Sequence, residues 1–285
     1  MRADGHEPLT LIPSPREMAE GAWQALAACE LCELRCRVNR RRGAQGPCRL
    51  TDRTHVFRLY VSFAEELELS PALMIYLAGC NFRCSFCTQG PQCFRPAEGP
   101  ELTAPETLSR IEALAAGVRW INLVGGEPSL HPHTLIELRH SIRTEARWLL
   151  NTNGYLTPEC LELLDPLVDL HLVDLKFGCD ACALKLAGVP RYLEVLERNL
   201  SAIWQTGPRR LLVRHLLMPG HESCCFEPVA RWVAAHLHGV RFHLMASYVP
   251  NYRALGDPEM GRTVPLATVR SAEEYCRRLK LVLVE

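Results

Sequence analysis

Cys80, Cys84 and Cys87 stand at C-x3-C-x2-C spacing in LMIYLAGCNFRCSFCTQG, residues 73–90. Thiolates set this closely bind a soft metal or an iron–sulfur cluster, and a closed site takes four of them. Three leave one iron of a cubane with an open position, where a substrate or cofactor can bind. The spacing therefore points to chemistry, with a zinc knuckle or chance clustering as the alternatives. A second group, Cys29, Cys32, Cys36 and Cys48, lies in CELCELRCRVNRRRGAQGPC. It has the count for a tetrahedral zinc site or a second cluster, and four metal-free thiols are the other reading. Cys93, Cys179, Cys182, Cys224 and Cys225 rank low as an auxiliary metal site because they are scattered along the chain. Cys160 and Cys276 fall in helical patterns and read as core thiols.

The elements that must position these thiols are legible in the apolar pattern. Of 285 residues, 48% are apolar and 22% charged, which suits a globular protein with a sizeable core. Residues 1–17 read as an extended lead-in and 16–28 as a helix, so that 1–70 forms a small cysteine-rich extension. Residues 71–285 form an α/β unit in which strand candidates alternate with helices, as a parallel sheet requires. The strands are expected at 73–78, 119–124, 147–151, 168–175, 210–217 and 240–246. The helices are expected near 103–116, 133–145, 157–164, 190–206, 223–237 and 267–279. Thr103 and Thr157, each close ahead of a proline, are the expected N-caps of two helices.

Lys plus Arg equals Asp plus Glu at 32 each, so no global charge calls for nucleic acid or a membrane surface. No run approaches the roughly 18 apolar residues of a membrane span. The start of the chain lacks the apolar stretch of a signal peptide, and fourteen cysteines then predict a reduced, cytoplasmic metalloprotein. Arg35, Arg37, Arg40, Arg41 and Arg42 read as a solvated charged face.

The Cys80–Cys87 loop, with Phe86 just before its last cysteine, resembles that of the radical S-adenosylmethionine (SAM) enzymes. The motifs that follow resemble those of the pyruvate formate-lyase-activating-enzyme-like subgroup. They are Gly125-Gly126-Glu127-Pro128, Asn151-Thr152-Asn153-Gly154, Asp174-Leu175-Lys176, Leu186-Ala187-Gly188-Val189 and Arg214-x4-Pro219-Gly220. The N-terminal cysteines, followed by Val38-Asn39-Arg40, match a segment of the same subgroup.

The resemblance implies a partial (βα)6 TIM-like barrel with an N-terminal cysteine-rich extension. It implies a [4Fe–4S] cluster on Cys80, Cys84 and Cys87, with SAM on the fourth iron. Phe86 would pack near the adenine. Gly125, Gly126 and Glu127 would take the SAM amino group. Asp174 would lie near the ribose and Lys176 near the carboxylate, with Arg214 on the carboxylate or the substrate and Asn151 and Asn153 beside them. Asn151 stands where the subgroup often has an acid, which puts a cation site there in doubt. A salt-bridged strand end is the plain alternative for Asp174 and Lys176.

The same resemblance implies an electron donor, flavodoxin or ferredoxin, and a glycyl-radical protein as substrate. Alternatives are a peptide or small-molecule substrate, or a metal-binding protein without turnover. His215 reads as packed, His221 as a loop residue or proton donor, and Tyr248 and Asn251 as weak site candidates.

Overall fold

Between Leu73 and Leu77 the chain carries no charge and offers apolar or aromatic side chains to both faces, as a strand buried on both sides must. The structure, a computed structural model describing residues 15–64, 66–95 and 98–284, makes this segment strand β2 of an eight-stranded sheet. In chain order the first elements are α1 (Pro15–Ala25), β1 (Val56–Ser62), β2 (Ala72–Leu77), α2 (Gly90–Cys93), α3 (Pro105–Ala115) and β3 (Trp120–Gly125). There follow α4 (Pro132–Ser141), β4 (Arg147–Thr152), α5 (Pro158–Leu164), β5 (Leu170–Asp174), α6 (Asp180–Ala187) and α7 (Tyr192–Thr206). The chain closes with β6 (Leu211–Leu216), α8 (Glu227–His236), β7 (Arg241–Met245), α9 (Leu266–Arg278) and β8 (Val282–Leu283). Most of the expected lead-in, residues 1–14, lies outside the described residues.

Strands pair in sequence order, parallel from β2 to β8, with β1 antiparallel to β2. Among the described residues no pairing joins β1 to β8, so the sheet is an open, partial barrel. The six expected strands are β2 to β7, each within two residues of its expected bounds. Strands β1 and β8 and helices α2 and α6 are additions. β1 places residues 56–62 inside the sheet, ahead of the segment from 71 onward. Helix α6 turns the Cys179–Cys182 stretch, expected as a connection, into a helix start.

Alternation sorts the side chains of each strand. Leu73, Ile75, Leu123, Trp148, Leu150 and Val173 pack with the helices into the main core, each contributing roughly 1.5–3 kcal/mol by burial. Met74, Trp120, Leu149, Leu172 and Leu212 fill the other face. On that second face the carboxyl ends of the strands carry polar residues instead, which makes the site below.

The N-terminal segment is sewn to the loops at this end. Thr157 caps α5 as expected, accepting from Cys160 N, while its own Oγ1 donates to Glu30 O at 2.9 Å. Arg40 corrects the expectation of a solvated arginine face. It is fully buried, its guanidinium donating to Thr51 O and Leu130 O at 2.8 Å each, so that backbone carbonyls supply the partners a buried cation needs. The start of α3 differs as well. Its cap position falls on Ala104, which has no side-chain cap, rather than on Thr103.

Among the described residues no helix is long and apolar enough to cross a membrane.

Candidate active site

The cysteine loop leaves β2 and is held from three sides. Arg83 N donates to Ala187 O and Ser85 N to Leu186 O, both at 2.8 Å, while Ala254 N donates to Ser85 O at 3.0 Å. Phe82 is buried with its ring edge towards Tyr155, and Phe86 is buried with its edge towards Phe177 and Tyr248. With both aromatic anchors seated, Cys80, Cys84 and Cys87 all line one cleft at the carboxyl ends of the strands, where parallel α/β sheets place ligands. The cleft has a volume of about 480 Å³, within the range of small-molecule sites.

Electrostatics argue for what these thiols need. Burial pushes Cys80 well up, the neighbouring Cys84 adding to it, and burial pushes Cys84 up to about 12. Cys87 goes the other way, to about 7, because the Cys93 thiol hydrogen-bonds it. Ionising Cys80 and Cys84 is costly in the chain alone and becomes favourable beside a strongly cationic metal group.

The paired glycines meet a different need from the one expected. A Cβ on Gly126 would sit 1.9 Å from Gly79 O, and one on Gly125, at φ +136°, would sit 2.2 Å from Leu77 O. They let the end of β3 lie against the start of the cysteine loop, where Gly126 N donates to Leu77 O and Glu127 N to Gly79 O at 2.8 Å. Gly126→Ala should therefore destabilise the fold by about 3 kcal/mol, the high end of overpacking, since backbone and not a side chain must yield. Denaturant unfolding would measure it, and a loss below about 1 kcal/mol would show that the close approach is not required.

Glu127 has internal partners as well. Its carboxylate is fully buried and does not line the cleft, accepting from Ser129 N at 3.0 Å, Thr152 Oγ1 at 2.6 Å and Asn153 N at 2.7 Å. Three internal donors make it a tie between the loops after β3 and β4 and leave about one of a carboxylate's four acceptor positions. Gly125 and Gly126 do line the cleft, so backbone carbonyls are the acceptors the motif can offer there.

Asn151 and Asn153 line the cleft too. Asn153 Nδ2 donates to Asn81 Oδ1 at 2.8 Å, linking the β4 loop to the cysteine loop.

Strand alternation brings Asp174, Lys176 and Arg214 to one wall. Lys176 Nζ lies 2.5 Å from Asp174 Oδ2, and Arg214 Nε lies 3.3 Å from Asp174 Oδ1. The salt-bridged reading and the cleft-lining reading thus hold together. For Asp174 burial works upward, yet Lys176 and Arg214 outweigh it and hold the carboxyl below its ordinary range.

Sequence reasoning missed two neighbours. Glu66, 3% exposed, sits 3.5 Å from Arg214 Nη1 and bonds His243 Nδ1 at 2.8 Å. Neither stands in a motif, and only the fold brings them together.

Tyr248 lines the cleft, its hydroxyl donating to Met260 O at 2.8 Å, whereas Asn251 caps the turn after it. His215 is packed as expected, bonded to Leu175 O at 2.7 Å.

In the N-terminal segment Cys29, Cys32 and Cys48 are buried and Cys36 partly so. Burial pushes Cys32 up to about 12, and the nearby Cys48 and Cys29 add to it. Among the described residues, the donors that converge within 4.8 Å of one another are instead those of Cys182, His221, Cys224 and Cys225. Their low rank in the sequence came from their separation along the chain, which the sheet order removes.

The family model described as "Radical SAM superfamily" matches residues 74–233, more than half of the chain. The chain is 29% identical over 262 residues to an uncharacterised protein of Methanocaldococcus jannaschii, covering 90% of this chain and 76% of that one. Over 107 residues it is 38% identical to the 7-carboxy-7-deazaguanine synthase of Methanothermobacter thermautotrophicus, covering 37% of this chain and 42% of that enzyme. Over 204 residues it is 24% identical to the indoleacetate decarboxylase activating enzyme of Tractidigestivibacter scatoligenes, covering 62% of this chain and 64% of that one. The chain thus spans less than two thirds of either named enzyme.

Proposed function

The chain belongs to the radical SAM superfamily, and from that premise we propose that it activates a protein substrate by removing a hydrogen atom from a glycine. Membership makes it an enzyme with a [4Fe–4S] cluster and SAM. The observation that carries the reading is that Cys80, Cys84 and Cys87 open into the same cleft as Asp174, Lys176 and Arg214. The donor set fits the cofactors: three thiols for a cubane with one open iron, and cations paired with a carboxylate for an amino-acid ligand. Bound together, the cluster and SAM supply one electron to the sulfonium and a 5′-deoxyadenosyl radical able to abstract hydrogen.

The chain's own part is to bind, orient and exclude water. Gly125 and Gly126 would offer carbonyls to the SAM ammonium, Lys176 and Arg214 would face its carboxylate, and Asp174 would accept from the ribose. Phe86 and Tyr248 would form an apolar wall for the adenine, with Asn151 and Asn153 completing the rim. A flavodoxin or ferredoxin would deliver the electron. Cys29, Cys32, Cys36 and Cys48 would hold zinc or a second cluster, a reading supported by their mutual electrostatic reach.

The glycine substrate is supported by the D-x-K and R-x4-P-G segments and by the likeness to an activating enzyme. A peptide or small-molecule substrate is the second reading, favoured by the N-terminal cysteines and by the match to 7-carboxy-7-deazaguanine synthase.

The test is anaerobic reconstitution with iron and sulfide, reduction with dithionite and addition of SAM. We expect 5′-deoxyadenosine by chromatography, and a glycyl radical by electron paramagnetic resonance when a glycyl-radical protein from the same genome is added. Product without a protein radical, from any such partner, would sink the activase reading and favour the second. Full iron loading with no product would sink both.

A further inference from the structure

Away from the cleft, Cys182 of α6 meets the turn between β6 and α8, which carries His221, Cys224 and Cys225. We propose that these four residues form a mononuclear zinc site with three sulfurs and one imidazole nitrogen.

The separations decide the kind of metal. Tetrahedral zinc, with Zn–S near ~2.3 Å and Zn–N near ~2.0–2.1 Å, sets its sulfurs about 3.8 Å apart and each sulfur about 3.6 Å from the nitrogen. Here Cys182 Sγ lies 3.7 Å from Cys224 Sγ, and Cys224 Sγ lies 4.0 Å from Cys225 Sγ. His221 Nδ1 lies 3.6 Å from Cys182 Sγ, 3.3 Å from Cys224 Sγ and 3.8 Å from Cys225 Sγ. These are five of the six edges of a tetrahedron around one ion, and the sixth, between Cys182 and Cys225, is no longer than 4.8 Å. A cubane, whose cysteines sit on different irons, needs a wider set.

The local backbone is shaped for this convergence. Consecutive cysteines on an α-helix diverge by about 100°. Residues Glu222–Phe226 form a wider, π-helical turn instead, with Phe226 N donating to His221 O at 3.2 Å, and the two neighbouring thiols in it lie 4.0 Å apart.

A metal-bound imidazole donates its other N–H to a carboxylate or carbonyl, and a carboxylate stands near that position, just beyond hydrogen-bond range. With Nδ1 facing the sulfurs, His221 Nε2 is buried without a hydrogen bond and lies 4.0 Å from Glu259 Oε2. Gly220, at φ +76°, makes room for that carboxylate, since a Cβ there would meet Glu259 Oε1 at 2.2 Å. The Gly178 N–H hydrogen-bonds the Cys225 sulfur.

The site would pin the segment after β5, which carries Lys176, to the turn after β6, which follows Arg214. Gly178 packs so closely there that a Cβ would lie 2.5 Å from Cys225 O. The role is structural and independent of the substrate.

The full chain, purified anaerobically without added iron, should hold zinc that survives EDTA. X-ray absorption on the Cys32→Ser/Cys48→Ser protein, which carries no N-terminal metal, should show a shell of three sulfurs and one nitrogen for that zinc. Cys182→Ser and His221→Asn should each remove it, whereas Cys32→Ser and Cys48→Ser, in the N-terminal group, should not. If those variants fold poorly, His221→Cys supplies four ligands and should keep zinc in a four-sulfur shell. Wild type without zinc, zinc untouched by Cys182→Ser and His221→Asn, iron in the same shell, or a Cys182–Cys224 disulfide would each overturn the proposal.

Discussion

Cys84→Ala is expected to bring 5′-deoxyadenosine formation down to the background of iron-free protein while the chain stays folded. The loop does not depend on the sulfur for its shape. Residues on either side of Cys84 donate to Ala187 O and Leu186 O, and Phe82 and Phe86 are buried as anchors. Trimming one small buried side chain should cost about 1 kcal/mol, a shift in Tm of roughly 2–4 °C for a chain of this size. The chemistry, by contrast, loses a ligand that nothing replaces. Two thiols cannot hold a cubane with a single open iron, and Cys93, which lines the same cleft, is taken up by its hydrogen bond with Cys87. Cys93→Ala should therefore retain most of the turnover that Cys84→Ala abolishes. The pair is read by product chromatography, iron content and thermal melting in the same samples. Wild-type product from a fully iron-loaded Cys84→Ala protein would remove the cysteine loop from the mechanism.

The parts of the molecule legible in the sequence are those whose signal is continuous. Strands β2 and β3 are almost wholly apolar and β4 to β7 each keep a core of apolar residues, so their bounds come out within two residues. Strand β1 carries only half that signal. VFRLYVS alternates, but it sits at an edge with Arg58 and Tyr60 exposed.

The α3 cap shows a rule applied one residue too early. Proline forces its predecessor into the extended region, and Ala104 has φ −63° and ψ 138°, so the cap position goes to the residue next to Pro105. Thr157 stands directly before Pro158 and obeys the same rule.

In the site, Asp174 and Lys176 were legible because period-two alternation is a local fact. Glu66 was not, since its partner His243 lies 177 residues away. Glu127 is legible as part of a motif, but only the packing shows that Ser129, Thr152 and Asn153 donate to it.

Asp174→Asn should destabilise the fold by about 3 kcal/mol at neutral pH, the low end for breaking a buried ion pair because the cleft reaches one side of it. The variant keeps the shape of the side chain and removes the charge that faces both Lys176 and Arg214, leaving Glu66 as the carboxylate beside Arg214. The pH dependence follows from the two shifts. Asp174 is held below its ordinary value despite burial, so its contribution is present above pH ~4 and fades as the pH falls through the lower folded value. Burial works to lower Lys176, but Asp174 outweighs it and raises the ammonium, so that contribution is present below pH ~10 and fades above it. The gap between wild type and variant should therefore be flat from about pH 5 to 9 and narrow on both sides. Urea unfolding at a series of pH values measures it directly. A gap that persists undiminished at pH 3 would mean that the carboxylate's charge is not what binds this wall together, and that Asn serves the two cations as well as Asp does.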